Sequence, residues 1–264
     1  MSGYVITWDG VASSAVSPNV IMQKVSRGMV GGVRDVAVDI PGRDGAVLFQ
    51  EARGNRQITV QATLVSADTA QRHADVTTLA DWLDKSGYKK LLISDQPDRY
   101  WEAGLRADPN PDEWRLLSKF MLTFTAQPYA FALAVSSSTA SGSNGGAQSF
   151  SISDSINAHP VMEITARGGD VVAPTITVNG NILQYSGTIL QDQTVTISSL
   201  NYTVVAGSNT DLELTGVFTP GTVFPADVSG DFPVLIEGSN SWTVAWTGTA
   251  TYVDVSFTWR RRYR

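Results

Sequence analysis

Residues 56–65 alternate strictly between apolar and polar side chains. Ile58, Val60, Ala62 and Leu64 share one face, and Gln57, Thr59, Gln61 and Thr63 share the other, as a strand with one buried face requires. Residues 119–126 repeat the device, with Phe120, Leu122, Phe124 and Ala126 set against Lys119, Met121, Thr123 and Thr125. Between these two strands, Val76, Leu79, Ala80 and Leu83 recur at i, i+3, i+4 and i+7, which predicts a helix lying on a sheet. Trp82 widens its apolar face, Asp68 with Gln71 three residues on reads as the N-cap, and Gly87 reads as the C′ stop. Upstream, Tyr4, Ile6 and Trp8 alternate before a turn at Asp9-Gly10. Gly28, Gly31 and Gly32 then loosen the chain, and Val36, Val38 and Ile40 alternate up to Pro41-Gly42. The turn Gly42-Arg43-Asp44-Gly45 lacks the spacing of a phosphate-binding loop.

The pattern changes after residue 135. Residues 136–147 are small or polar throughout and read as a Ser/Gly-rich linker, since they carry too little apolar surface to order themselves. From 148 to 264 there is no helix-period run. Met162, Ile164 and Ala166 alternate, and Ile176 and Val178 run into Asn179-Gly180, a strong hairpin signal. The segments "TVTIS", "NYTVVAG", "LELTG", "PVLIEG", "SWTVAW" and "YVDVSFTW" then follow at spacings that suit an antiparallel sandwich. The expected architecture is an α+β N-terminal domain over residues 1–135, an antiparallel sheet or split barrel with one helix, followed by an all-β sandwich over 148–264. Two domains also suit 264 residues.

Composition narrows the function more than the fold. The chain has no Cys, so disulfides, thiolate zinc sites and cysteine nucleophiles are excluded. No signal-peptide pattern opens it and no apolar run is long enough to span a membrane, so folding in the cytosol is expected. Net charge is −6, unevenly spread. Residues 1–135 carry 14 basic and 15 acidic side chains, whereas 136–264 carry 5 and 10, with no Lys or Arg from Gly168 to Trp259. A nucleic-acid groove on the second domain is therefore disfavoured.

Catalytic constellations are sparse. The two histidines, His73 and His159, fall in different expected domains, which disfavours a His-based metal site or triad. The run "DPNPDE" at 108–113 fails the EF-hand pattern and reads as a rigid solvated loop. Asp211, Glu213, Glu163 and Glu237 lie on expected strands, where such acids read more simply as the wet face of a sheet than as a glycosidase pair. No catalytic residue, metal or cofactor is assigned. Trp242 and Trp246 could stack on a sugar. Their parity with Val244 favours the core, and a carbohydrate-binding module that contacts surface glycans stands as the second reading. Arg260, Arg261, Arg262 and Arg264 end the chain directly after a strand. They read either as a solvated end or as a tail docked on carboxylates of its own domain or of a neighbour.

A family resemblance gathers several of these features. The strand "RQITVQATL", the helix running into "LADWLDKSGYKKLLISDQPDRYWEAGL", and the strand "KFMLTFTAQPYAFA" resemble the distal tail proteins of long-tailed bacteriophages. The likeness spans roughly residues 20–131. It rests on Asp95, Pro97, Asp98, Arg99, Tyr100 and Trp101 at a turn and on Pro128, Tyr129 and Phe131 at the end. The resemblance implies a non-enzymatic structural protein of the virion tail tip. It would form a homohexameric ring that joins the tail tube to the baseplate or host-binding hub, with a galectin-like sandwich as its second domain. An arm around Arg43 and Asp44 would contact the neighbouring subunit; without the resemblance the same residues read as an exposed hairpin tip.

Overall fold

A computed structural model of the chain describes residues 3–29, 31–39, 44, 46–106, 109, 111, 116–153, 155–206 and 228–263. Arg43, Arg264, Asp211, Glu213, the segment "LELTG" and most of 108–113 lie outside the described residues. The chain forms two compact units, Met1–Leu133 and Ala134–Tyr263.

The first unit contains β1 (Ile6–Trp8), β2 (Val11–Ala12), α1 (Ser13–Val16), β3 (Val20–Arg27), β4 (Val33–Asp39), β5 (Ala46–Arg53), β6 (Arg56–Val65), α2 (Thr69–Leu83), β7 (Lys89–Ile93), β8 (Arg99–Leu105), β9 (Leu117–Ala126) and the start of β10 (Ala130–Gly142). Strands β3, β6, β9, β8, β7 and β1 pair in that order, all antiparallel. Tyr4, just ahead of β1, bridges to Met22 of β3 through a 2.8 Å backbone hydrogen bond. That bridge joins the two edges, so the sheet closes into a six-stranded barrel. Closure leaves no long unpaired edge on these strands. The alternation read from the sequence points the right way: Ile58, Val60, Ala62 and Leu64 are buried, as are Phe120, Leu122, Phe124 and Ala126. Asp9 and Gly10 take φ of 50° and 82° in the β1–β2 hairpin, the left-handed pair that a two-residue turn needs.

Helix α2 begins as expected, with the Asp68 side chain accepting from the Gln71 N–H at 2.8 Å. It ends at Leu83, short of Gly87. Its buried face is Arg72, Asp75, Leu79, Trp82 and Leu83, while Ala80 is exposed and Val76 only partly buried. The face is thus rotated from the apolar stripe, and hydrogen bonding explains why. The Asp75 carboxylate accepts from Ser17, Asn19, Ser66 and Gln71, and Arg72 donates to Ser118. These bonds pin the helix to the start of β3, the end of β6 and β9. Trp82 Nε1–H adds a bond to the Val11 carbonyl. Leu79 and Leu83, each about 5% exposed or less, supply the apolar part, roughly 1.5–3 kcal/mol apiece.

The second unit contains the remainder of β10, then β11 (Gln148–Ile152), β12 (Val161–Arg167), β13 (Val171–Val178), β14 (Asn181–Tyr185), β15 (Thr188–Ile189), β16 (Thr194–Ser198), β17 (Thr203–Ala206), β18 (Val228–Gly230), β19 (Gly238–Gly248) and β20 (Tyr252–Tyr263). Strands run β17-β16-β12-β20-β10 in one sheet and β11-β19-β13-β14-β18 in the other, with β15 on β13. Met162, Ile164, Val255 and Phe257 from the first sheet meet Ile176, Leu183, Trp242 and Val244 from the second in one apolar core. Asn179 and Gly180, at φ of 51° and 86°, make the β13–β14 turn. "PVLIEG" is not a strand; it contributes a single bridge, Leu235 to Ala158.

The segment read as a linker is corrected from Ser136 to Gly142, which continues β10. Small side chains let it lie flat. A Cβ on Gly142 would sit 3.2 Å from the Trp242 ring, and on the opposite parity Thr139 and Ser141 bond Ser256 and Asp254 of β20. Composition alone reports the lack of apolar bulk and misses this hydroxyl ladder.

Candidate functional site

Among the described residues, strands β4 and β5 pair only with each other, Val33 opposite Arg53 and Asp39 opposite Ala46, with a bulge between Val36 and Ala37. They form a hairpin separate from the barrel. At its root, the Gly54 N–H donates to the Gly32 carbonyl. The crossing is tight: a Cβ on Gly31 would lie 2.6 Å from the Gly54 oxygen, so the glycine is a packing requirement. Asp44 is exposed in a bend beyond the strands.

The hairpin root sits beside a charged cluster at one end of the barrel. Arg27, the last residue of β3, grips Asp95 with two guanidinium nitrogens, at 2.8 and 2.5 Å, and lies 5.1 Å above the Trp101 ring. Such stacking adds a cation–π term to the ion pair. Arg56 opens β6 and is 6% exposed. Its one hydrogen bond among the described residues runs to the Met29 carbonyl at 3.3 Å. Burial first, then the Arg27 charge, pull its pKa below the ordinary arginine value, although a guanidinium stays protonated. The sequence carries a signal for Arg56 that the strand reading over 56–65 leaves unused: extending the inward parity of Ile58, Val60 and Ala62 by one step places Arg56 inside.

The second unit gives the other assigned residues a different setting. Trp242 and Trp246 are 2% and 6% exposed in the sandwich core, Trp242 with its ring 5.7 Å from Phe257. Core packing takes both indoles, so neither ring is exposed to stack on a sugar. The basic terminus is no loose tail. Arg260, Arg261 and Arg262 belong to β20. The Arg262 N–H donates to Ser155 Oγ at 3.1 Å and its guanidinium to the Asn157 carbonyl at 3.0 Å. Nearby, burial and then the Arg262 charge push His159 down to about 4, so it is neutral at pH 7; His73 is exposed on α2. Glu163 is partly buried on β12 and Glu237 exposed, which gives no paired-carboxylate cleft of the kind glycoside hydrolysis uses. Among the described residues no group of three or more His, Cys, Asp or Glu is placed to hold a metal, and no helix is long and apolar enough to cross a membrane.

A closed barrel with a detached hairpin, ahead of a sandwich, can be compared with known proteins. Residues 25–126 match the family described as the phage tail protein RIFT-related domain. The match lies within the N-terminal unit, which is similar to that phage tail domain. The whole chain superposes on the SPP1 Dit protein, a crystal structure described as a paradigm of the hub adsorption apparatus in phages infecting Gram-positive bacteria. That match has a TM-score of 0.71 and 13% identity over 99% of both chains. The chain therefore shares the fold of that protein. A chain of the phage P2 baseplate, in its activated conformation with Ca, matches with a TM-score of 0.43 and 8% identity over 97% of both chains. No curated protein matches the sequence.

Proposed function

We propose that this chain is a non-enzymatic distal tail protein of the virion tail tip. It assembles as a homohexameric ring that joins the tail tube to the baseplate or host-binding hub, with the second unit as a galectin-like sandwich. The observation that carries this reading is the β4–β5 hairpin. Among the described residues its strands bond only to each other, so their outer edges offer backbone donors and acceptors to another chain. A contact between unlike surfaces, repeated around an axis, closes a ring. The hairpin tip, with Arg43 and Asp44, is the subunit contact in this reading. The tail tube protein and the hub are the other partners, and the near-neutral first unit leaves a central channel without a grip on DNA.

The geometry of the root makes a clean test. Because the Gly54 N–H already meets the Gly32 carbonyl, residues 33–53 can be replaced by a two-residue Asn-Gly turn without pulling the barrel strands apart. The expected outcome is a variant that keeps its thermal midpoint within a few degrees and loses the ring in light scattering and negative-stain images, in the presence of tail tubes if the ring forms only there. A variant that assembles like the parent would sink the hairpin as subunit contact.

A further inference from the structure

Arg56 is unusual in what it lacks. Its guanidinium is buried at the barrel end, yet its one acceptor among the described residues is the Met29 carbonyl, and its Nε–H has none. The Nε–H of Arg27 and the Nε1–H of Trp101 are likewise buried without an acceptor among the described residues. Trp101 is 2% exposed and lies against Arg27. Three orphaned groups at one end of a barrel are all donors. The charges agree in sign: among the described residues the two guanidiniums are answered by one carboxylate, Asp95, which leaves an excess of one positive charge. A group that satisfies all of this accepts hydrogen bonds, offers none and carries one negative charge.

We propose that Arg56 anchors an oxyanion-binding site at this end of the barrel, built for a carboxylate-type group. Asp95 holds Arg27 in a fixed plane by its two-pronged contact, so Arg27 and Trp101 form one preorganised wall and Arg56 the other. The group would come from one of two sources: a small oxyanion in solution, or a carboxylate side chain of a second copy of this chain, since the hairpin root lies at the same place. The second source rests on the ring reading above; the first does not.

The test uses the full chain with 15N-labelled arginine. The side-chain Nε–H signal of Arg56, assigned by its loss in Arg56→Lys, and the Trp101 indole signal are followed in two series. In the first, acetate or inorganic phosphate replaces chloride at constant ionic strength and low protein concentration. A saturable shift of both signals supports a site for a free oxyanion, with Arg56→Lys weakening it about tenfold, the worth of one charge-assisted hydrogen bond. In the second, protein concentration is raised. A shift that tracks association, reversed by acetate, supports the carboxylate of a second copy. If the chain stays monomeric, the ring reading fails under those conditions while the first series still decides the site. No shift in either series overturns the proposal and leaves water as the only acceptor. Both series are read on the parent protein, so that outcome does not depend on the folding of any variant.

Discussion

The two units solve the problem of a stable interior with different chemistry. The barrel unit admits charge: Arg56, Arg72 and Asp75 are all at most 6% exposed, while among the described residues the buried polar side chains of the sandwich, Ser155, Thr196, Ser198, Ser199 and Asn240, are all neutral. Asn240 is satisfied on both sides of its amide, accepting from Ile236 N–H and Asn179 and donating to the Ile236 and Gly238 carbonyls. In the barrel the polar bonds select one orientation of α2, something an apolar stripe alone fails to do. Polar networks of this kind are costly when broken and specific when whole. On the ring reading proposed above, a unit that presents a hairpin to a neighbour gains from that specificity, whereas a sandwich closes on any well-packed interior.

Two substitutions sharpen the contrast most. Asp75→Ala strands four donors in the barrel unit and should cost about 3–5 kcal/mol. Phe257→Ala, in the sandwich, should cost a similar ~3–5 kcal/mol by leaving a cavity. The conservative partners separate the mechanisms. Asp75→Asn keeps the volume but brings an NH2 toward groups that are themselves donors, so it should still cost about 1–3 kcal/mol. Phe257→Leu keeps most of the apolar bulk and should cost less than its alanine counterpart, by roughly 2 kcal/mol. Calorimetry that resolves the two unfolding transitions would measure all four. An Asp75→Asn protein as stable as the parent would refute the charged-network account of α2.

Acid should strike the units in different pH windows. His159 has a folded pKa of about 4 against 6.5 when exposed. Between those values the unfolded sandwich binds a proton that the folded one refuses, so stability falls as pH drops from 6.5 to about 4, by about 3 kcal/mol at most. Asp75 behaves otherwise. Burial alone would raise its pKa, but the bonds from Asn19, Ser17, Gln71 and Ser66 outweigh it and hold it below the usual carboxylate value. Its contribution is therefore intact above the ordinary carboxylate pKa and lost only as pH falls below it. The sandwich transition should move first on acidification, and His159→Gln should flatten its slope between pH 6.5 and 4. Equal slopes in parent and variant would assign the pH response elsewhere.

Much of this was legible from residue patterns, and the misses have physical causes. The two barrel strands, the N-cap at Asp68, and the Asp9-Gly10 and Asn179-Gly180 turns follow from period and from left-handed φ, both local properties. The rotated face of α2 was not legible, because it depends on Ser17, Ser66 and Ser118, which sequence scatters and folding gathers. The strand from Ser136 to Gly142 was hidden for a related reason: its order comes from the partner strand and not from its own side chains. At the candidate site, Trp101 belongs to the family resemblance and Arg56 to a readable alternation. What no pattern showed is that Arg27, Asp95, Trp101 and Arg56 converge on one end of a closed barrel.

The smallest expected effect concerns the chain's end, and it turns on what kind of bond holds it. A basic tail docked on carboxylates would lose its value as salt rises, since screening weakens exposed ion pairs within a Debye length of about 8–10 Å. Arg262 also meets neutral oxygens, through its backbone N–H to Ser155 Oγ and its guanidinium to the Asn157 carbonyl, and screening leaves those two bonds largely intact. Deleting residues 260–264 should therefore lower the sandwich stability by about 1–3 kcal/mol, a few hydrogen bonds' worth, with a part of that loss persisting at high salt. A second readout comes from His159. Burial is the larger cause of its depressed pKa and the Arg262 charge the smaller, so the truncated protein should titrate His159 above 4 but still below 6.5. A deletion whose cost disappears in high salt, with the His159 titration unmoved, would return the terminus to the role of a charged tail.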